Sequence, residues 1–567
     1  MRVVGQPANR PNIIVVLSDD QGYGDFSMHG NPILQTPTLD KLARQSIELT
    51  DFHVAPLCTP SRGQLMTGLD AYHNKAATVG SGSGIVKRDV MMMPELLKKN
   101  GYTTGLFGKW HLGESFPDRP MDNGFDKSIW VKGWGLLSET EYDNDYYETR
   151  YLDSLTTKYS TKYCSNLWFD KAMEWMGESA KNKKPFFTYI ALNAPHGPFD
   201  SPKQDFDFYK DKVDNEKTAS FFGMIKNIDR NMSRLENWMV ETGIKENTVL
   251  LYITDNGTAQ GEDVFNADMR GKKTSLYEGG HRVTCFIRWP KGNLVGPIKI
   301  DVPTQVQDIL PTLLELIDSK QKEQIFDGVS LAPLFYSNSI FEDRMFVVQY
   351  GAIPAKKYEG CVVYGNWRLV GEEELYNIKT DPSQTRNVAD SNPKIVNTMK
   401  NYYEKWWSAL EPGRKELVPL FVGSDQENPV ILNSSNWLEN LVNTQWKVAM
   451  GGGQKNGGES YISIEQAGTY RIELSRWPFH LNTKLNIKGP EFSVGGKSIN
   501  QGKAIDIDYG CIAIGNEEMK IQKVDQNLDY VTFQVELEKG ETNFRGWFKD
   551  STKNDICGAY YVRFTKV

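Results

Sequence analysis

Two apolar runs, far apart in the chain, end in the same way. Asn12-Ile13-Ile14-Val15-Val16-Leu17-Ser18 leads into Asp19-Asp20, and Thr248-Val249-Leu250-Leu251-Tyr252-Ile253-Thr254 leads into Asp255-Asn256-Gly257. Unbroken Val/Ile/Leu segments of this length suit strands buried on both faces, as in a parallel sheet covered by helices. Open α/β sheets bind ligands beyond the carboxyl ends of such strands. Two of them side by side would bring four side chains with oxygen donors to one edge. Clustered carboxylates repel one another unless a cation lies between them. An all-oxygen set suits Ca2+, with Mg2+ second, and no Cys/His pair stands near to favour Zn2+. Taken alone, the first acidic pair reads equally as a solvated Asp-Asp turn.

The chain has 567 residues, too many for one core, so more than one domain is expected. Hydrophobic residues make up 39% and charged residues 24%, ordinary for a globular protein. The net charge of −7 and the lack of a long Lys/Arg block exclude nucleic acid as a general partner. An anionic substrate must then be drawn by a local basic pocket. No apolar run reaches the roughly 20 residues that span a bilayer, so no membrane span is expected. Met1-Arg2-Val3-Val4-Gly5 does not open a signal-peptide apolar region. The protein is therefore cytoplasmic, or secreted or periplasmic with a signal absent from this sequence. Six sparse cysteines form neither a disulfide scaffold nor a zinc module, although Cys511 and Cys557 fall in one segment and could pair.

Other segments carry chemistry at fixed spacings. Pro56-Leu57-Cys58-Thr59-Pro60-Ser61-Arg62-Gly63 has a C-x-P-S-R pattern, with Pro60 suited to an early helical position. Gly108-Lys109-Trp110-His111-Leu112-Gly113 follows a strand-like run, and its Lys109 and His111 would share a face on extended backbone. Asn193-Ala194-Pro195-His196-Gly197-Pro198 follows the buried-strand candidate Pro185–Leu192. Arg270-Gly271-Lys272-Lys273 leads to Glu278-Gly279-Gly280-His281-Arg282-Val283. Singly, each has a bland reading: a buried free thiol, an exposed lysine, a structural histidine.

Together and in this order, the motifs resemble those of type I sulfatases, which depend on a formylglycine and belong to the alkaline-phosphatase-like superfamily. The likeness covers about residues 10–415, and Thr284 stands where many relatives have proline. It implies an α/β fold with a large, mostly parallel sheet between helices and a small α+β C-terminal subdomain. It implies that a maturase oxidises Cys58 to formylglycine, whose hydrate attacks the sulfur of a sulfate ester. In that scheme Arg62 and Lys109 position the diol, and Asp255 accepts its proton. His196 and Lys273 hold the sulfate and assist the leaving oxygen, and His111 deprotonates the second hydroxyl. The implied metal set is Asp19, Asp20, residue 58, Asp255 and Asn256. Lys273, five residues before Glu278, is the implied sulfate ligand, and Lys272 is a decoy. The implied enzyme is a sulfuric ester hydrolase. A phosphonate or phosphate ester hydrolase of the same superfamily and a glycan-binding pseudosulfatase are the alternatives.

Between and beyond the motifs, periodicity places a helix over Thr38–Ile47 with Thr38 as cap, and another over Pro94–Asn100. A long amphipathic helix carries Phe221, Ile225, Ile228, Met232, Leu235 and Met239. Residues 114–165 show no clean period and read as an elaborated loop, where Trp130, Trp134, Tyr146 and Tyr147 are either sugar platforms or local core. Tyr470–Leu474 and Val531–Leu537 alternate as half-buried strands do, and an extra all-β sandwich is expected there. The expected domains are a catalytic domain over 10–344, its smaller subdomain over 345–422, and the sandwich over 425–567. The aromatic-rich insertion and the added domain favour a sulfated polysaccharide or its oligosaccharides as substrate.

Overall fold

In the computed structural model both acid-terminated runs lie at the centre of one sheet. The structure describes residues 10–80, 82, 84–320, 325–336, 344–351, 355–410, 413, 416–438, 442–494 and 497–567. In chain order the sheet and its main helices are β1 (Asn12–Ser18), α1 (Pro37–Arg44), β2 (Ile47–Leu49), α2 (Cys58–Thr67), β3 (Thr103–Lys109), β4 (Lys127–Val131), β5 (Thr149–Asp153), β6 (Thr156–Ser160), α3 (Cys164–Lys181), β7 (Phe186–Ala191), α4 (Glu216–Glu241), β8 (Thr248–Thr254), β9 (Cys285–Arg288) and β10 (Ile298–Ile300). The spatial order is β10-β2-β9-β8-β1-β7-β3-β4-β5-β6. The run β8-β1-β7-β3-β4 is parallel throughout. Antiparallel pairings at β9 and at β5-β6 make the whole sheet mixed. Ser18 pairs with Thr254, so Asp19 and Asp255 leave neighbouring strands at the same level.

Both faces are covered. Ile13, Val15 and Leu17 point into one core cluster and Ile14 and Val16 into another, the latter shared with α3 and α4. Helix α4 buries the whole stripe from Phe221 to Met239. Helix α1 starts earlier than the sequence suggests, with Pro37 in its first turn and Thr36 as N-cap. It stops at Arg44, and Ile47 belongs to β2. Residues 114–165 also differ from the loop expected: they supply β4, β5 and β6. Their Lys, Thr, Tyr and Asp content hides the strands because β5 and β6 form an edge hairpin that buries little.

A four-stranded antiparallel sheet over Met345–Gln349, Gly360–Tyr364, Trp367–Val370 and Glu374–Asn377 packs against the helix Pro393–Leu410 through Val347, Leu369, Met399 and Tyr403. Two further sheets make the sandwich: Val430–Asn433, Tyr561–Lys566, Gly468–Ser475 and Val531–Leu537 form one, and strands from Leu420–Val422 to Asp555–Gly558 form the other. Their inner faces share one core that includes Trp477 and Tyr560. Leu420–Val422 pairs in parallel with Glu459–Ile464, so it belongs with the sandwich and not with the subdomain to which residue 422 was assigned. Cys511 and Cys557 flank the same strand and are both free thiols. Among the described residues no helix is long and apolar enough to cross a membrane.

Candidate active site

Asp20 has φ of 70°, a left-handed conformation that Asp tolerates better than most residues. The chain therefore turns directly after β1, and oxygens of Asp19, Asp20 and a nitrogen of His196 converge. From the neighbouring strand, Asp255 accepts the Asp20 amide on Oδ1 at 3.0 Å. Asn256 donates from Nδ2 to Asp20 Oδ1 at 2.8 Å. Gly257 is obligatory here: a Cβ would lie 1.9 Å from the Gly279 carbonyl oxygen, so only glycine lets the Asp255 loop meet the Glu278-Gly279-Gly280 segment.

Three cations neutralise this cluster. Arg62 Nε and Nη2 donate to Asp255 Oδ2 at 3.1 and 2.8 Å. Lys109 Nζ donates to Asp19 Oδ2 at 2.6 Å, and Arg62 Nη2 lies 3.7 Å from the same oxygen. Lys273 Nζ is 2.7 and 2.9 Å from the two oxygens of Asp20. Burial would raise the Asp20 pKa, but Lys273 and His196 outweigh it and hold the carboxyl below its ordinary value. Asp255 goes the other way, raised by burial and by Asp19. Lys272 points elsewhere, to Glu262 on the exposed side.

Cys58 is the first residue of α2, after Leu57 in an extended conformation. Every residue of α2 is buried, so the helix is fixed all round and its N-terminus cannot wander. Cys58 Sγ lies within one ligand sphere of oxygens of Asp19 and Asp255. Burial raises its thiol pKa, with Lys109 and Lys273 pulling against the rise. As plain cysteine it is therefore no thiolate nucleophile at neutral pH.

Both histidines are neutral bases. His111 is held by the Thr59 hydroxyl, 2.8 Å from Nε2, and burial followed by Lys109 and Arg62 drives its pKa well below the usual value. Its φ is 61°, so Lys109 and His111 do not share a face of an extended segment as expected. Lys109 ends β3 and His111 turns back to Thr59 instead. His196 Nδ1 lies 2.7 Å from the Gly197 carbonyl, which fixes the proton there and leaves Nε2 facing Asp20 Oδ2 at 3.6 Å. Burial lowers its pKa.

The donor set fits a hard divalent cation. Asp19 Oδ1 and Asn256 Oδ1 are buried without a hydrogen-bond partner, an arrangement that is costly unless something binds there. Asp19 is shared by two close groups, one with Asp20 and His196 and one with Cys58 and Asp255, and Asn256 adjoins them through its bond to Asp20.

Residues 11–319, more than half of the chain, match the profile of the Sulfatase family. The chain belongs to the sulfatase family. Mouse arylsulfatase J is 29% identical over 337 residues, covering 57% of this chain and 55% of the relative. Rat N-acetylgalactosamine-6-sulfatase is 27% identical over 365 residues, covering 59% and 68%. This sulfatase-family chain thus spans little more than half the length of the first and about two thirds of the second. Among solved structures, Ps i-CgsB superposes with a TM-score of 0.64 at 26% identity, covering 70% of this chain and 93% of its own. The same protein in complex with k-i-k-neocarrahexaose gives 0.63.

Sequence reasoning missed some neighbours of this sulfatase site. Thr59 holds His111, and nothing in its type or spacing marks it. Trp134, one of two readings left open, stands 5.1 Å from the His196 ring. Glu139, Ser435 and Asn436 line the cleft beside His111. Only tertiary packing brings the last two there.

Proposed function

We propose that this protein hydrolyses sulfate esters on a carbohydrate, with Cys58 oxidised to formylglycine by a maturase. The observation that carries the reading is the convergence of Cys58, Arg62, Lys109, Lys273 and two neutral histidines on one buried acidic cluster. A sulfate ester repels nucleophiles through its own oxygens, so a hydrolase must neutralise them, supply a strong nucleophile and protonate the leaving alcohol. Formylglycine supplies, as its hydrate, two hydroxyls on one carbon. Ca2+, or Mg2+ in second place, held by Asp19, Asp20, residue 58, Asp255 and Asn256, supplies Lewis-acid polarisation.

The chain's own groups supply the rest. Lys273 contacts the sulfate from the Asp20 side and gives the leaving oxygen its proton, with His196 beside it. Asp255, whose carboxyl is raised toward proton uptake, accepts the proton of the attacking hydroxyl. His111 stays neutral even in mild acid and accepts the proton of the second hydroxyl. Arg62 and Lys109 keep residue 58 and the carboxylates in place. The relatives' names and the neocarrahexaose complex support a sulfated polysaccharide or its oligosaccharides as substrate. Such polymers lie outside the cytoplasm, which favours a secreted or periplasmic protein. Residues 425–567 act as an accessory domain to a catalytic unit formed by the preceding residues.

Co-expression with a maturase, mass spectrometry of the Cys58 peptide and assay on 4-methylumbelliferyl sulfate test the reading. Conversion of the thiol together with sulfate release is expected. A converted protein that cleaves phosphate or phosphonate monoesters faster than sulfate esters would overturn it.

A further inference from the structure

Between the sulfatase core and the sandwich lies a cleft of about 70 Å³ that opens beside His111. Both parts build it: His111, Glu114, Trp134 and Glu139 come from the core, Ser435 and Asn436 from the sandwich. The seam is fixed there. Tyr561 donates its hydroxyl proton to the Glu139 carbonyl at 2.6 Å, the Trp134 indole N–H donates to the Asn443 carbonyl, and Ser138 bridges to Thr444.

Unlike the surroundings of residue 58, the cleft has no Lys or Arg among its described lining residues. Among its described lining residues the ionisable groups are Glu114, Asp118, Glu139 and His111, and His111 is neutral. Asp118 is paired with Arg88 at 2.9 Å. Glu114 is held by neutral donors, the Gly133 amide at 2.9 Å and the Asn433 side-chain amide. Glu139 is only 1% exposed, and burial pushes its carboxyl up to about 8, which keeps it protonated at neutral pH. Its Oε2 and the nearby Ser435 hydroxyl are buried and interact with each other, a pair whose remaining donor and acceptor capacity a ligand's hydroxyls can take up. Trp134, half-buried beside His196, offers an aromatic face between the two regions.

We propose that this cleft is a subsite for an unsulfated sugar ring adjoining the sulfated one, with Trp134 under the ring and Glu139 and Ser435 on its hydroxyls. The inference rests on the sulfatase reading and narrows it to glycans whose sulfated ring has a neutral neighbour. A second sulfate in the cleft would face Glu114 with no cation among the described lining residues to receive it.

The test uses the matured full chain. Turnover of 4-methylumbelliferyl sulfate checks the sulfatase reading by itself. A panel of sulfated disaccharides, paired so that the adjoining ring is unsulfated or sulfated, checks the subsite. The member with the neutral neighbour should be favoured by about tenfold or more in kcat/KM, a difference of about 1.4 kcal/mol. Ser435→Lys, which adds a cation to the wall, should shrink that ratio, and Glu139→Leu, which removes donor and acceptor together, should lower kcat/KM for the favoured member chiefly through KM. Equal turnover of the pair, preference for the doubly sulfated member, or a ratio unchanged in a folded Ser435→Lys protein overturns the subsite while the aryl ester is still cleaved. Cleavage of the aryl ester with no disaccharide hydrolysed removes the carbohydrate reading and the subsite with it. No cleavage of the aryl ester by converted protein removes the sulfatase reading first.

Discussion

The Nδ1 atoms of His53 and His281 lie 2.9 Å apart in a fully buried site. His53 Nε2 is 2.8 Å from Asp51 Oδ1 and His281 Nε2 is 3.1 Å from the Leu276 carbonyl, both of which only accept. Between the two Nδ1 atoms one ring donates and the other accepts. Burial, then His53, pushes the His281 pKa down to about 3, so His281 is neutral at neutral pH. Arg368, from the small sheet, bonds both Asp51 and Glu278 and ties that sheet to the segment leading into Cys58.

A pH dependence of stability follows from this pair. The His281 pKa is lower folded than unfolded, so the unfolded chain binds more protons between about pH 6.5 and pH 3. This contribution is neutral above pH 6.5 and turns increasingly destabilising as pH falls through the window. His281→Gln should melt lower than wild type at pH 7 yet lose less melting temperature between pH 6.5 and pH 4. Parallel melting curves across that range would refute the proton assignment.

Cys58→Ala should reduce turnover of an aryl sulfate to the uncatalysed background. The substitution removes one sulfur from a buried site, so the stability cost should be about 1 kcal/mol and the melting temperature should shift by only a few degrees. Activity retained in the alanine variant would exclude residue 58 as nucleophile.

The unpartnered oxygens of Asp19 and Asn256 give a prediction that does not need substrate. Ca2+ added to chelator-treated protein at a hundred times its dissociation constant should stabilise the fold by about 2.7 kcal/mol. Asn256→Leu keeps the volume and loses the oxygen, and it should abolish most of that gain in a thermal melt. Mg2+ should give a smaller gain at equal concentration. A calcium response unchanged by Asn256→Leu would place the ion elsewhere.

Arg62 is fully buried and serves Asp255 with two hydrogen bonds. Arg62→Met leaves that carboxylate without its partner, which should cost about 3–5 kcal/mol in urea unfolding. Arg62→Lys keeps the charge and loses the fork, so it should fall between Met and wild type. A methionine variant as stable as wild type would mean that Asp255 is already neutral.

The centre of the fold was legible because its strands are buried on both faces, and burial writes itself as unbroken Val, Ile and Leu. The site was legible through order: the Asp19, Lys109, His196 and Asp255 motifs each end or follow a strand that the parallel sheet brings to one edge. Geometry within motifs was not. Lys109 and His111 meet the cluster because His111 takes a left-handed turn, which spacing does not reveal. The edge hairpin over 149–160 was lost because exposed strands carry no apolar alternation. Ser435 and Asn436 could not be foreseen, since no local pattern shows which loop of one domain faces a histidine of another.

The bond from Tyr561 to Glu139 has a consequence for synthesis. Ribosomes make this chain from its N-terminus, and the core can begin to assemble before the strand Tyr561–Lys566 has emerged. Tyr561 is made 422 residues after the Glu139 it holds. A nascent chain can therefore hold its buried acidic cluster before the backbone of Glu139 is tied in place.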